Sequence, residues 1–300
     1  MAVVTISGGT GLIGKALAKK LREKDYDVKI LTRNPSAVSE YEAVYWNPAK
    51  MEIDADKIVD SDFIVNLAGE NIFGKRWTKS QKEKILSSRI NSTRLLANLI
   101  LEEKITPQAF ISTSAIGYYG SEITRKLFTE KDKPGNDFLA NVCLAWEAEA
   151  KKVEPKTRTV IFRTGVVFSK EGGAFPKLTF TLNFSFINSI GSGEQCLSWI
   201  HIEDIVNIFL FAIENRNISG VFNAVAPESV TFNYFVNEIR KIRNVFQLPN
   251  VPSFLIKLFL GEAANSILGG SAISSQKIIK EGFRFKYSAL ESALENLFRL

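Results

Sequence analysis

The strongest constraint on this chain sits at its start, where a short β-branched run gives way to glycines and then to a helical pattern. Val3, Val4 and Ile6 carry no charge and read as a strand buried on both faces of a parallel sheet. Gly8, Gly11 and Gly14 follow at three-residue spacing, and Ile13, Ala16, Leu17 and Leu21 fall on one helical face. In such a strand-turn-helix the first glycine reverses the chain, the second lets backbone approach a pyrophosphate, and the third brings the helix close to the strand. The unpaired N–H groups and positive dipole end of the new helix favour an anion. A second strand over Asp27–Thr32 completes the context that a dinucleotide fingerprint requires. Gly8, Thr10, Gly11, Leu12, Ile13 and Gly14 are therefore the expected diphosphate contacts.

The second strand ends at Arg33, where an NAD-preferring site would carry an acidic group for the ribose 2′-hydroxyl, about twenty residues beyond the glycines. No carboxylate stands there. Arg33 suits the 2′-phosphate of NADP through a charge-assisted fork, so NADP is expected over NAD. A solvated arginine at a loop start is the alternative.

Further strands and helices alternate. Val44–Trp46 reads as a third strand, and Asp62–Gly69 as a buried strand whose loop residues Leu67, Ala68 and Gly69 border the same sheet edge as the glycine turn. Thr78 and Gln81 form a capping-box pattern opening a helix to about Glu102. Arg89 on it either snorkels or faces a ligand. Ala109–Ser112 reads as a fifth strand, leading into Ser114 and the Gly117-Tyr118-Tyr119-Gly120 turn. A polar loop with Pro134 and Gly135 precedes a helix over Asp137–Lys152. Thr159–Phe162 is a sixth strand, and Gly165 just beyond it is a further expected cofactor contact. The pattern predicts a doubly wound parallel α/β sheet with helices on both faces over residues 1–170, with 199–224 returning to it. Residues 171–300 then form mainly a smaller C-terminal substrate lobe and tail.

Composition narrows the partners. At 45% hydrophobic and 23% charged, a chain of 300 residues has ample core. The net charge of +6 is spread along the sequence without a basic block, which fits phosphate handling and argues against a nucleic-acid partner. The longest uncharged run, between Lys177 and Glu194, contains asparagines and glycines and does not fit a membrane span. The first strand begins at residue 3, leaving no room for a signal peptide. With only Cys143 and Cys196, reduced thiols and a cytoplasmic setting are expected, and His201 as the single histidine argues against a zinc or other metal site. Nothing in the pattern specifies an oligomeric state.

The blocks GGTGLIG, NLAG, STSA and RTGVVF, in this order, resemble the short-chain dehydrogenase/reductase superfamily in its extended or atypical branch. NLAGENIFGKRWT, SSRINSTRLL, STSAIGYYG, DFLANVCLAWEAEA, GSGEQCLSWIHIED, GVFNAVAPESVT and the tail from VPSF through GFRFKYSAL extend the likeness to the subgroup of NAD(P)-dependent, or sugar-nucleotide, epimerases. The resemblance covers almost the whole chain. It implies a Rossmann-like fold, an oxidoreductase or epimerase (isomerase) activity, and a small anionic or nucleotide-linked substrate.

In that superfamily a Tyr-x-x-x-Lys pair moves the proton, because a tyrosine with pKa near 10 is a poor base at neutral pH without a neighbouring cation. If Glu147 matches the glutamate that follows the pair, Leu139 falls on the tyrosine position and Cys143 on the lysine position. Ser114 matches the serine that orients substrate, and Arg89 falls where relatives carry a cofactor-side asparagine. The resemblance makes Ser114 and Cys143 catalytic candidates, and Tyr118, with Tyr119 beside it, is nearby in sequence and offers a replacement phenol. Each has a plainer role open to it: strand-end hydrogen bonding for Ser114, packing for Tyr118 and Tyr119, and a buried small hydrophobe for Cys143. A capped helix start accounts for His201 and Asp204. A non-catalytic NADP(H)-binding redox sensor or partner-binding protein is the second expectation.

Overall fold

In the computed structural model, which describes residues 1–73 and 75–299, eight strands share one sheet. They are β1 (Val3–Ser7), β2 (Asp27–Thr32), β3 (Glu42–Asn47), β4 (Glu52–Ile53), β5 (Phe63–Asn66), β6 (Ala109–Ala115), β7 (Arg158–Thr164) and β8 (Gly220–Ala224). Gly74, within the NLAGENIFGKRWT block, and Leu300 lie outside the described residues. The spatial order is β8-β7-β6-β5-β1-β2-β3-β4, and only the short β3–β4 pairing is antiparallel. The chain travels outward from β1 to β3 and then crosses back to place β5 on the free side of β1. That reversal opens a crevice at the carboxyl ends of β1 and β5, where ligands of open α/β sheets bind.

Strand alternation decides what each face meets. Val4, Ile6, Phe63, Val65, Ala109, Ile111, Val160 and Phe162 pack against α1 (Leu12–Arg22) and α4 (Ile202–Glu214). Ile64, Phe110 and Ile161 point the other way, toward α2 (Lys79–Leu101) and α3 (Phe138–Lys151). Burying each large side chain contributes about 1.5–3 kcal/mol, so helices on both faces are what these uncharged strands demand. The fold is a Rossmann-like, doubly wound α/β sheet.

Helix starts follow from their caps. Thr78 accepts the Gln81 N–H at 3.2 Å, and Asp137 accepts the Ala140 N–H at 2.9 Å. The capping box at Thr78 closes on one side only: the Gln81 side chain turns to Glu70, at 3.5 Å. At α4 the His201 imidazole is the cap, its Nδ1 accepting the Glu203 N–H at 3.2 Å. Asp204 does not cap its own helix. Its carboxylate accepts the backbone N–H groups of Lys286 at 2.7 Å and Tyr287 at 2.9 Å, tying the tail to α4.

Several short strands were not visible as periodic runs. Thr124–Phe128 lies within the stretch read as a polar loop and pairs with Ser271–Ile273, while Phe186–Ile190 pairs with Phe246–Val251. The strand expected at Trp199 forms over Trp199–His201 but pairs with Val166–Phe168 beside the eight-stranded sheet, which of residues 199–224 only β8 joins. Beside these pairs lies a second core in which Phe168 stacks on Trp199 with ring centres 5.6 Å apart. Among the described residues no helix is long and apolar enough to cross a membrane.

Candidate functional site

The crevice at the switch point is closed at its base by Ser7. Its hydroxyl donates to Asn66 Oδ1 at 2.6 Å and accepts the N–H groups of Leu67 at 3.2 Å and Ala68 at 3.3 Å. The next residue, Gly8, has φ +69°, and a Cβ there would stand 2.9 Å from the Leu67 carbonyl. At Gly14 a Cβ would fall 2.3 Å from the Gly8 oxygen, so the first turn of α1 rests on the glycine loop itself. Gly11 precedes α1 in extended conformation and offers no side-chain cap, and the first turn holds no acid. Lys19, Lys20 and Arg22 stand at its far end. The start of α1 therefore presents its N–H groups and roughly half a positive charge to the crevice. Thr10 and Gly11 are exposed there, and Leu12 and Ile13 are half-buried.

Arg33 is exposed one residue beyond β2 and makes no ion pair among the described residues. A cleft of about 1240 Å³ starts at Gly9 and Thr10 and follows the flank of α1 past Lys15 and Lys19 to Val38 and Tyr41. It borders the glycine turn, but Ser114, Leu67 and Arg89 do not line it.

Gly69 covers Arg89. A Cβ on Gly69 would lie 3.2 Å from the Arg89 guanidinium carbon, which also stands 5.2 Å from the centre of the Trp146 ring. Arg89 donates to the Ile85 carbonyl at 3.0 Å, and burial lowers its pKa against the pull of Cys143 and Glu70. The side chain thus stays beneath the Leu67–Gly69 loop.

At the carboxyl end of β6, register places Ser114 beside Arg163, and Arg163 beside Asn223. Ser114 and Arg163 meet Glu147 of α3 there. Ser114 donates its hydroxyl proton to Glu147 at 2.8 Å, and Arg163 grips the same carboxylate with Nε at 2.8 Å and Nη2 at 2.9 Å. The third arm of Arg163 reaches the Tyr119 hydroxyl at 2.9 Å, and that hydroxyl donates to Asn223 at 2.6 Å. The guanidinium carbon also lies 3.3 Å from the centre of the Tyr118 ring. Burial works against the Arg163 cation, and the hydrogen bonds and charge of Glu147 outweigh it, so its pKa is raised. Burial pushes the Tyr119 phenol up to about 12 despite Arg163.

The two positions aligned with the proton-transfer pair are turned inward. A Cβ on Gly117 would touch Leu139 at 3.2 Å and the Cys143 sulfur at 3.8 Å, so α3 packs flush on the Ile116–Tyr119 turn. Burial, then the charge of Glu147, pushes the Cys143 thiol up to about 11. Gly165 lies where strand ends converge: a Cβ there would fall 2.6 Å from the Ser198 oxygen.

Ser114, Tyr118 and Cys143 are thus brought into one cluster, and Gly8, Gly14 and Leu67 into another. Among the described residues Arg33 makes no contact with either cluster, and Gly165 packs on Ser198 and Val225. Sequence reasoning used Glu147 only to align the proton-transfer pair and gave no role to Arg163 or Asn223. The available signal was a glutamate four residues after Cys143 on the inner face of α3 and an arginine on the same face as Ile161 of a buried strand.

The model of the NAD dependent epimerase/dehydratase family matches residues 4–224. The chain belongs to that family. A domain of unknown function, DUF1731, matches residues 251–297, the segment that Asp204 anchors through Lys286 and Tyr287. The epimerase family protein YfhF of Bacillus subtilis is 37% identical over 298 residues, covering 98% of this chain and 97% of that protein. The epimerase family protein SDR39U1 of Mus musculus is 32% identical over 299 residues, covering 98% and 99%. The crystal structure of human epimerase family protein SDR39U1 (isoform 2) with NADPH superposes with TM-score 0.87 at 30% identity and covers 98% of both chains. The resemblance to atypical short-chain dehydrogenases/reductases is borne out.

Proposed function

We propose that this epimerase-family chain binds NADP(H) across the Gly8–Gly14 turn and acts as an oxidoreductase or epimerase on a small anionic or nucleotide-linked substrate. The observation that carries the reading is the missing space at two glycines: a Cβ would lie 2.9 Å from the Leu67 carbonyl at Gly8 and 2.3 Å from the Gly8 oxygen at Gly14. Such a turn, followed by an uncapped helix start, fits a diphosphate. Gly8, Thr10, Gly11, Leu12, Ile13 and Gly14 would hold it, Arg33 the 2′-phosphate, and Leu67, Ala68, Gly69, Arg89 and Gly165 the nicotinamide half. That the similar human protein was crystallised with NADPH supports the same choice here.

When bound, the nicotinamide supplies hydride exchange with a substrate carbon. The chain's own part is to orient and to move a proton. Ser114 has its single proton committed to Glu147, so its remaining lone pair is suited to accept a hydrogen bond from a substrate hydroxyl. Tyr119 is occupied by Arg163 and Asn223, which leaves Tyr118 or water as proton carrier. The substrate lobe is drawn mainly from residues 171–300. Two free cysteines suit a cytoplasmic setting.

Leu139 and Cys143 packed on Gly117 favour a second reading, a non-catalytic NADP(H)-binding sensor or partner-binding protein. A screen of sugar nucleotides and simple carbonyls for NADPH oxidation separates the two. Turnover that disappears in Ser114→Ala supports the enzyme. Silence across the panel in protein that binds NADPH supports the sensor.

A further inference from the structure

At the edge of the sheet opposite the glycine turn, where β7 and β8 begin, a cleft of about 550 Å³ holds Arg158 and Arg216 together. Two guanidinium groups line one small space, and neither forms an ion pair among the described residues. Arg158 donates through Nη1 to the Ile218 carbonyl at 3.1 Å, while its Nη2 is shut off from solvent with no partner. Arg216 is exposed and donates to Gln108 at 3.3 Å. Thr157 and Thr159 also line the cleft, but each hydroxyl proton is already given to a backbone carbonyl, of Pro107 and of Thr157. Ser219 and the open space around Gly220 complete the wall.

Two guanidinium charges side by side with no carboxylate paired to either repel each other, and an object of opposite charge between them relieves that repulsion. That object is an anion with several acceptor oxygens. Burial lowers the Arg158 pKa, and the Arg216 charge lowers it further, with no carboxylate acting the other way. Glu154 stands at the rim without pairing to either arginine and would compete with an incoming anion.

We propose that Arg158 and Arg216 form a binding site for a small tetrahedral oxyanion, a phosphate or the phosphate group of a small metabolite. The site is separate from the cofactor crevice and independent of the cofactor reading. Guanidinium forks match such an anion through paired N–H donors, which a lysine does not reproduce.

The test is thermal unfolding of the full chain in millimolar inorganic phosphate against sodium chloride of equal ionic strength. The site predicts a phosphate-specific rise in Tm in the wild type and in Gly14→Ala, which closes the glycine cradle at the cofactor side. The part of the rise that survives in Gly14→Ala should vanish when Arg216→Gln is added, with circular dichroism used to check that this exposed change leaves the protein folded. Arg158→Lys should bind at least about tenfold more weakly, and Glu154→Gln more tightly. No phosphate-specific rise in the wild type, or a rise in Gly14→Ala that is undiminished when Arg216→Gln is added, overturns the proposal.

Discussion

Arg163 and Glu147 form a two-pronged ion pair inside the protein, with contacts of 2.8 and 2.9 Å and both side chains almost wholly buried. Ser114 is tied to the same carboxylate, so the pair fixes both the rotamer and the proton direction of the serine. Removing one partner of a buried pair typically costs about 3–5 kcal/mol, because the survivor stays charged and desolvated. Glu147→Gln should therefore lower stability by about that amount in urea unfolding. Glu147→Gln combined with Arg163→Met should recover a large part of it, whereas a purely additive loss would show that the two residues do not act as a pair.

His201 makes stability depend on acidity. Burial, against the opposing charge of Glu203, lowers its pKa from 6.5 to about 4, while Lys286 and Tyr287 face it from the tail. Between these values the unfolded chain takes up a proton that the native imidazole refuses. Stability is complete above 6.5 and falls as pH drops toward 4, by about 2–3 kcal/mol over the window. His201→Asn keeps a capping side chain and should flatten this slope in unfolding measurements. An unchanged slope would place its origin elsewhere.

Much of the architecture was legible because it is local. The glycine turn, the caps at Thr78 and Asp137 and the alternating strands are written in contiguous residues, and they place the crevice at β1 and β5. The sequence places the hydroxyls of Ser112, Thr113 and Ser114 at the carboxyl end of β6, and the strand runs on through them to Ala115. In the structure Thr113 and Ser114 are buried with their protons given to Asn66 and Glu147. The Ser114–Glu147–Arg163–Tyr119–Asn223 chain was not legible, since it depends on strand register between segments far apart. The strands Thr124–Phe128 and Ser271–Ile273 escaped notice for the same reason.

Cys143 behaves as a packed thiol in this geometry. Burial and the charge of Glu147 push its pKa to about 11, and the sulfur lies against the Gly117 turn. A neutral alkylating reagent at mildly alkaline pH should modify native Cys196→Ser protein negligibly and the denatured protein fully. Rapid labelling of the native variant would instead support a reactive thiol at that position.

Arg33 reads the cofactor's 2′-phosphate in this account. Losing a charge-assisted fork is worth roughly 1.5–3 kcal/mol, or about one to two powers of ten in affinity. Arg33→Ala should weaken NADPH by that factor in calorimetric titration and leave NADH nearly unchanged. Equal weakening of both would assign Arg33 another role.

The turn itself offers the most direct test. Gly14→Ala places a Cβ 2.3 Å from the Gly8 oxygen, against backbone that cannot yield without opening the cradle. Calorimetric titration of the wild type and this variant with NADPH should show saturable binding in the first and its loss in the second, with the variant still folded by circular dichroism. Absence of any binding or thermal stabilisation of the wild type by millimolar NADPH, NADP or NAD would contradict the account.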